Sequence, residues 1–195
     1  MTFMLAPYAL PADYAEGILP LADIKRHVSV DADDDYFDDL LSVFRDAAVD
    51  MVERYCSLRL APCAGLVWRA DGLPQRLVLG TGPVVGITAV KWLDSAGTTV
   101  TGDPATLRIA GGGLVKAMPG AVWGGAGLGA VAAGLEITFD AGFAEGECPP
   151  ALVQAARMFA AHLFANRESV SMGTIGGEIP LGFRALCNAY RMPVM

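Results

Sequence analysis

Residues 31–56, DADDDYFDDLLSVFRDAAVDMVERYC, decide the reading of the fold, because an acidic cluster there runs straight into a long stretch of helical periodicity. Phe37, Leu41, Phe44, Ala48, Met51, Val52 and Tyr55 recur every three or four residues and form one apolar stripe roughly 30 Å long. Asp38, Arg45, Asp46, Asp50, Glu53 and Arg54 fall on the other faces. The spacing predicts a helix over 34–56. It should begin near Asp33 or Asp34, where carboxylates can cap free N–H groups and meet the positive end of the helix dipole.

A counterpart lies near the other end. Cys148-Pro149-Pro150 opens a second predicted helix over 150–167, since proline suits a first helical turn. Its stripe of Leu152, Val153, Ala156, Phe159, Ala160, Leu163 and Phe164 is wider than one packing partner needs, so contacts on two sides are expected. A shorter helix over 21–27 follows Pro20. Between the long helices the period changes to that of strands, predicted at Leu66–Arg69, Arg76–Leu79, Ile87–Leu93, Thr98–Thr101, Thr106–Ile109 and Leu135–Phe139. Ser95-Ala96-Gly97 reads as a hairpin turn, and the Gly- and Ala-rich stretch Gly120 to Gly134 as a loop.

The expected architecture is α+β: two long amphipathic helices packed together, with a small antiparallel sheet (65–140) inserted between them in sequence. One domain over 20–168 is expected, with an N-terminal arm (1–19, broken by Pro7, Pro11 and Gly17) and a C-terminal segment (169–195). In that last segment Ser169 to Gly177 reads as flexible, and Phe183, Leu186 and Tyr190, flanked by Arg184 and Arg191, form a short amphipathic tail suited to docking elsewhere.

Composition narrows the function. Of the 195 residues 53% are hydrophobic and 18% charged, enough for a sizeable core with apolar surface left for assembly. A net charge of −7 with no Lys/Arg stripe argues against sequence-specific nucleic-acid binding. Four scattered cysteines, Cys56, Cys63, Cys148 and Cys187, contain no C-x-x-C pair and read as free thiols of a reducing compartment. The N-terminal residues Phe3, Met4 and Leu5 lack a basic leader, so a cytosolic chain is expected. The longest low-charge run, Ala117 to Leu135, holds six glycines and a proline and is a poor membrane span.

Catalytic and ligand motifs are weak. Asp31, Asp33 and Asp35 imitate the start of a calcium loop, but Tyr36 stands where the loop needs glycine and Ser42 where it needs glutamate, so a helix cap is the better reading. Gly127-Leu128-Gly129-Ala130-Val131-Ala132 imitates a dinucleotide fingerprint without the strand–helix context that gives it meaning. His27 and His162 are too few for a zinc site, and His162 reads as a packing or hydrogen-bonding residue. Glu145, Glu147 and Glu168 could supply a carboxylate pair, but acidic residues at a turn are more simply solvated. No catalytic residue, metal or cofactor is assigned. The rival from another class is a small cytosolic enzyme or ligand-binding module using a groove near His162 and Glu168.

An ordered set of segments runs through most of the length: Leu21-Ala22-Asp23-Ile24-Lys25; the helix from Phe37 to Tyr55; Gly82-Pro83-Val84-Val85; Val90-Lys91-Trp92; and Ile137-Thr138-Phe139-Asp140-Ala141-Gly142-Phe143. Cys148-Pro149-Pro150-Ala151-Leu152, Ala160-Ala161-His162-Leu163-Phe164-Ala165-Asn166-Arg167-Glu168 and Pro180-Leu181-Gly182-Phe183-Arg184-Ala185-Leu186 complete it. The chain thereby resembles the head–tail connector (adaptor) proteins of tailed bacteriophages and gene transfer agents; the segment 120–134 departs from the pattern. The resemblance implies a homo-oligomeric, dodecameric ring in the virion neck, assembled in the bacterial cytoplasm. Its partners would be the portal and a stopper or other tail or neck protein, with DNA passing unbound and no membrane involved. It also implies that Phe183, Arg184, Leu186, Tyr190 and Arg191 contact the portal. Leu152, Phe159, Leu163, Phe44 and Met51 are the expected packing residues between subunits. A stopper or tail-completion protein of the same neck is the alternative.

Overall fold

The structure is a computed structural model that describes residues 3–72, 77–110, 113–117, 133–167 and 181–192. Two compact units emerge: a sheet unit from residues 1–10, 62–143 and 192–195, and a helical unit from 11–61 and 144–191. Among the described residues there are five α-helices and eight strands in two antiparallel sheets. This corrects the expected plan of two long helices with one small inserted sheet.

In the sheet unit, β1 (Phe3–Leu5), β2 (Cys63–Ala70), β8 (Ala133–Ala141), β4 (Val84–Leu93) and β5 (Thr99–Gly102) form a five-stranded sheet in the order β1-β2-β8-β4-β5. A second sheet joins β3 (Leu77–Val78), β7 (Leu114–Ala117) and β6 (Leu107–Ile109) in the order β3-β7-β6. Leu135, Ile137 and Phe139 alternate along β8 with less buried residues, the two-residue period of a strand with one face in a core. Register carries this face across the sheet: Trp68 lies opposite Ile137, which lies opposite Val90, and Phe139 joins Leu66 to Ile87. A register shift between Cys63 and Leu66 marks a bulge, where Gly65 takes φ 74° and donates its N–H to Asp140 Oδ1 at 2.8 Å.

The hairpin turn joins β4 to β5. Asp94 Oδ1 accepts from the N–H groups of Ala96 and Thr98, both at 2.9 Å, which closes the turn without a bulky residue at Gly97. One strand position demands glycine for a different reason. A Cβ on Gly102 would meet the Trp92 ring at 2.5 Å, and Trp92 is itself buried. Gly102→Ala should therefore cost about 1–3 kcal/mol through overpacking. Urea denaturation checks this; an unchanged midpoint would mean that the Trp92 ring moves freely.

In the helical unit, α1 (Tyr14–Ile18), α2 (Leu21–His27), α3 (Asp38–Cys56), α4 (Pro150–Ala165) and α5 (Leu181–Asn188) enclose Leu19, Ile24, Leu41, Ala48, Val52, Leu152, Ala156, Phe159 and Phe183. Helix α3 begins later than its carboxylates suggest. Phe37 stands at its N-cap without a side-chain bond, and Asp34 Oδ1 instead accepts the N–H of Tyr36 at 3.0 Å in a local turn. The expected cap at Asp33 or Asp34 is thus replaced by a turn.

The buried face of α3 also differs from the apolar stripe. It is centred on Leu41, Arg45, Ala48, Val49, Val52, Glu53 and Cys56, while Phe44, Met51 and Tyr55 flank it half-buried. Arg45 and Glu53 are admitted because each meets partners inside. Arg45 pairs with Glu16 of α1 and places Nε 2.9 Å from Asp46 Oδ1. Glu53 accepts from the Tyr14 hydroxyl at 2.5 Å, from Arg59 Nη1 at 2.5 Å and from the Leu60 N–H at 2.8 Å. Donors from both sides of α3 in sequence thus converge on one carboxylate, which ties the N-terminal helix to the end of α3.

Candidate interaction surfaces

The acidic loop is organised by a cation of the chain itself. Lys25, on α2 and almost fully buried, reaches Asp38 Oδ1 at 2.6 Å and donates to the carbonyls of Asp34 at 2.9 Å and Ala32 at 3.2 Å. The ammonium thus holds the loop through Asp38 and two backbone carbonyls, while Asp31, Asp33, Asp34 and Asp35 remain exposed. The negative charge of the chain is gathered in this unit. The helical unit holds sixteen acidic and nine basic residues, and the sheet unit five of each.

The expected docking residues separate into two groups. Phe183 is fully enclosed, its ring 5.5 Å from that of Tyr55 and 5.4 Å from that of Phe159. Leu186 is half-buried, whereas Arg184, Tyr190 and Arg191 are exposed, with the Arg191 guanidinium 5.2 Å above the Tyr55 ring. The Tyr55 hydroxyl donates to Asn188 Oδ1 at 2.8 Å, which fixes α5 along the end of α3. The terminal helix is therefore a packed part of its unit, with one polar side outward. Ser169 to Gly177, read as flexible, lie outside the described residues, as do Arg76, Glu168, Gly120 to Val131 and Gly127-Leu128-Gly129 with the residues that imitate a fingerprint.

The expected subunit-packing residues divide similarly. Leu152 and Phe159 are buried inside their own unit, because α3 covers one side of α4 and α5 covers another. The wide apolar stripe of α4 thus has its two partners within the chain, and those two side chains are not available to a neighbour. Leu163, Phe44 and Met51 are half-buried. Sequence periodicity passes over two exposed apolar residues, Tyr36 at 81% and Val43 at 63% exposure. They stand at the head and on the outward face of α3, beside Asp39, Asp46 and Ala47. A hydrophobic residue at an outward helix position is visible in the sequence only once the inward face has been fixed.

His162 is a packing residue in the structure. Its ring stacks on Phe159 with centroids 6.3 Å apart, and Asn166 Nδ2 lies 3.2 Å from its Nδ1. Asp23 reaches Arg157 Nη2 at 3.3 Å and so links α2 to α4. In the sheet unit a shallow pocket of about 360 Å³ is lined by Met4, Arg69, Ala70, Asp71, Leu135 and Glu136, and its two long charged side chains neutralise one another at 2.8 Å. No group of three or more His, Cys, Asp or Glu side chains placed to hold a metal occurs among the described residues. None of the described helices is long and apolar enough to cross a membrane.

Solved structures supply a match to this fold. A chain from the neck of an empty gene transfer agent particle, computed with C6 symmetry, aligns over 100% of this chain and 97% of its own, with TM-score 0.68 and 23% identity. The fold is that of a gene transfer agent neck protein. A chain of the native gene transfer agent virion matches with TM-score 0.67, 22% identity and coverage of 100% and 97%. One from the native neck, computed with C12 symmetry, matches with TM-score 0.66, 23% identity and coverage of 98% and 97%. No family model and no curated protein matches the chain. The similar chains belong to symmetric neck assemblies of a virion; the sheet and helical units of this chain each have their counterpart within a single neck subunit, since the alignments run end to end.

Proposed function

We propose that the chain is a non-enzymatic structural component of a phage or gene transfer agent neck, and within it the head–tail connector (adaptor). Copies close into a ring, twelve in number, seated beneath the portal; the ring extends the DNA channel and offers its other side to a stopper or other neck protein. The protein resides in the virion and is assembled into it in the bacterial cytoplasm. The observation that carries the reading is a fold match spanning essentially the whole of both chains. The excess acidic charge of the helical unit supports a channel through which DNA slides, since like charges deny it binding by counterion release.

The portal contact is assigned to the outward side of the C-terminal helix and its end: Arg184, Tyr190 and Arg191 lie on the surface, with half-buried Leu186 at the margin. Phe183 holds that helix in place. Contacts between copies fall to Leu163, Phe44 and Met51, each partly open, with Val43 beside Phe44.

The test mixes the purified full-length chain with isolated portal and measures mass and shape of the product. A portal-bound ring is expected, and joint replacement Arg184→Glu and Arg191→Glu should weaken attachment by about tenfold or more while leaving the helical content unchanged. A folded chain that ignores isolated portal and binds only tail-side components is a stopper, and the adaptor reading then fails.

A further inference from the structure

Cys56 closes α3, Cys187 lies in the last turn of α5, and both side chains are fully enclosed. The Cys56 thiol donates to the Cys187 carbonyl oxygen at 3.6 Å, so the two cysteines adjoin across the helix contact. Around them the Tyr55–Asn188 hydrogen bond and the Tyr55–Phe183 ring contact hold the two helices in register. Both cysteines thus lie at the seam where α5 packs on α3, and the residues on either side of the seam are fixed by independent contacts.

We propose that Cys56 and Cys187 are a latent cross-link site, at which a small-molecule disulfide such as glutathione disulfide converts the two thiols into one intramolecular disulfide that fastens α5 to α3. The Cys56 thiolate attacks one sulfur of glutathione disulfide, whose S–S bond breaks and releases one glutathione thiolate. Cys187, losing its proton, then attacks the Cys56 sulfur of the mixed disulfide and expels the second glutathione thiolate. Two protein thiols are oxidised, one glutathione disulfide is reduced to two glutathiones, and the two protons leave with them. The order of attack follows from the surroundings. The hydrogen bond from Cys187 lowers the Cys56 pKa, against the opposing effect of burial and with help from the Arg191 charge, while the same bond together with burial raises that of Cys187.

Because both sulfurs are enclosed, the reagent gains access only when α5 lifts from α3. Oxidation is therefore slow in the native chain, and its rate reads how often the helix opens. Cys148 makes a suitable bystander: burial, with the negative charge of Glu53 adding to it, pushes its thiol up to about 11, so little thiolate is present near neutrality. This inference does not rest on the connector reading, since it is read on the isolated chain.

The test incubates the full-length chain with glutathione disulfide, then counts thiols after denaturation and maps the joined peptides. The count should fall from four to two, with the peptides of Cys56 and Cys187 linked. Cys56→Ser and Cys187→Ser should each form no intramolecular disulfide. Phe183→Ala, which loosens the helix, should speed the reaction by about tenfold or more. Four thiols persisting at equilibrium in both the native chain and Phe183→Ala, or a bond made by Cys63 or Cys148 instead, would overturn the proposal.

Discussion

Phe183→Ala is expected to lower the stability of the chain by about 3–5 kcal/mol, the range for removing a buried aromatic ring from a core that cannot collapse around the space. The ring is fully enclosed and packs against Tyr55 and Phe159, so its loss uncovers both. Chemical denaturation followed by far-ultraviolet circular dichroism measures the effect. A loss below about 1 kcal/mol would mean that α5 is an appendage lying on the surface, as the sequence pattern taken alone suggests. Removing the C-terminal segment takes away the cover of α4 together with any portal contact, so lost binding would not separate the two, whereas Arg184→Glu with Arg191→Glu keeps Phe183 and its ring contacts with Tyr55 and Phe159.

Glu53→Ala should be comparably severe, at about 3–5 kcal/mol, because breaking a buried charge cluster strands the groups that remain. The Arg59 guanidinium and the Tyr14 hydroxyl would lose the carboxylate they share, and the Leu60 N–H its acceptor. Tyr14→Phe removes one neutral donor to that carboxylate and should cost about 1–3 kcal/mol. The double variant then distinguishes a shared role from two separate ones. If Tyr14 acts through Glu53, the combined loss falls short of the sum by about 1 kcal/mol or more; full additivity would show that the two side chains contribute independently.

The long helices are legible in the sequence because a three-to-four residue repeat sustained over 19 residues is seldom produced by anything but a helix. What lies inside that repeat is harder to see. Charge alone places Arg45 and Glu53 outward, yet each is buried because its partners, Glu16 and Tyr14, arrive from a segment without periodicity of its own. Strands β1 and β7 escape the sequence reading for a related reason: three or four residues cannot establish a two-residue period, and their pairing is set by the strands they meet. Much of the apolar surplus on α4 is covered by α3 and α5 of the same chain, which periodicity alone does not reveal, because the sequence does not say whether a distant amphipathic helix returns to it. The acidic cluster is plain in the sequence, and the Lys25 ammonium that ties it to α2 is not, since the contact depends on how α2 turns into α3.

The chain visits each of its two units more than once: the helical unit is assembled from residues 11–61 and 144–191, with most of the sheet unit drawn from the stretch between them. During synthesis, α3 emerges long before the two helices that sheathe it, and must wait through more than eighty intervening residues with its oily side bare. Neither unit is a single uninterrupted stretch, so cutting the gene into consecutive halves would yield two sticky, unfinished products in place of two free-standing domains.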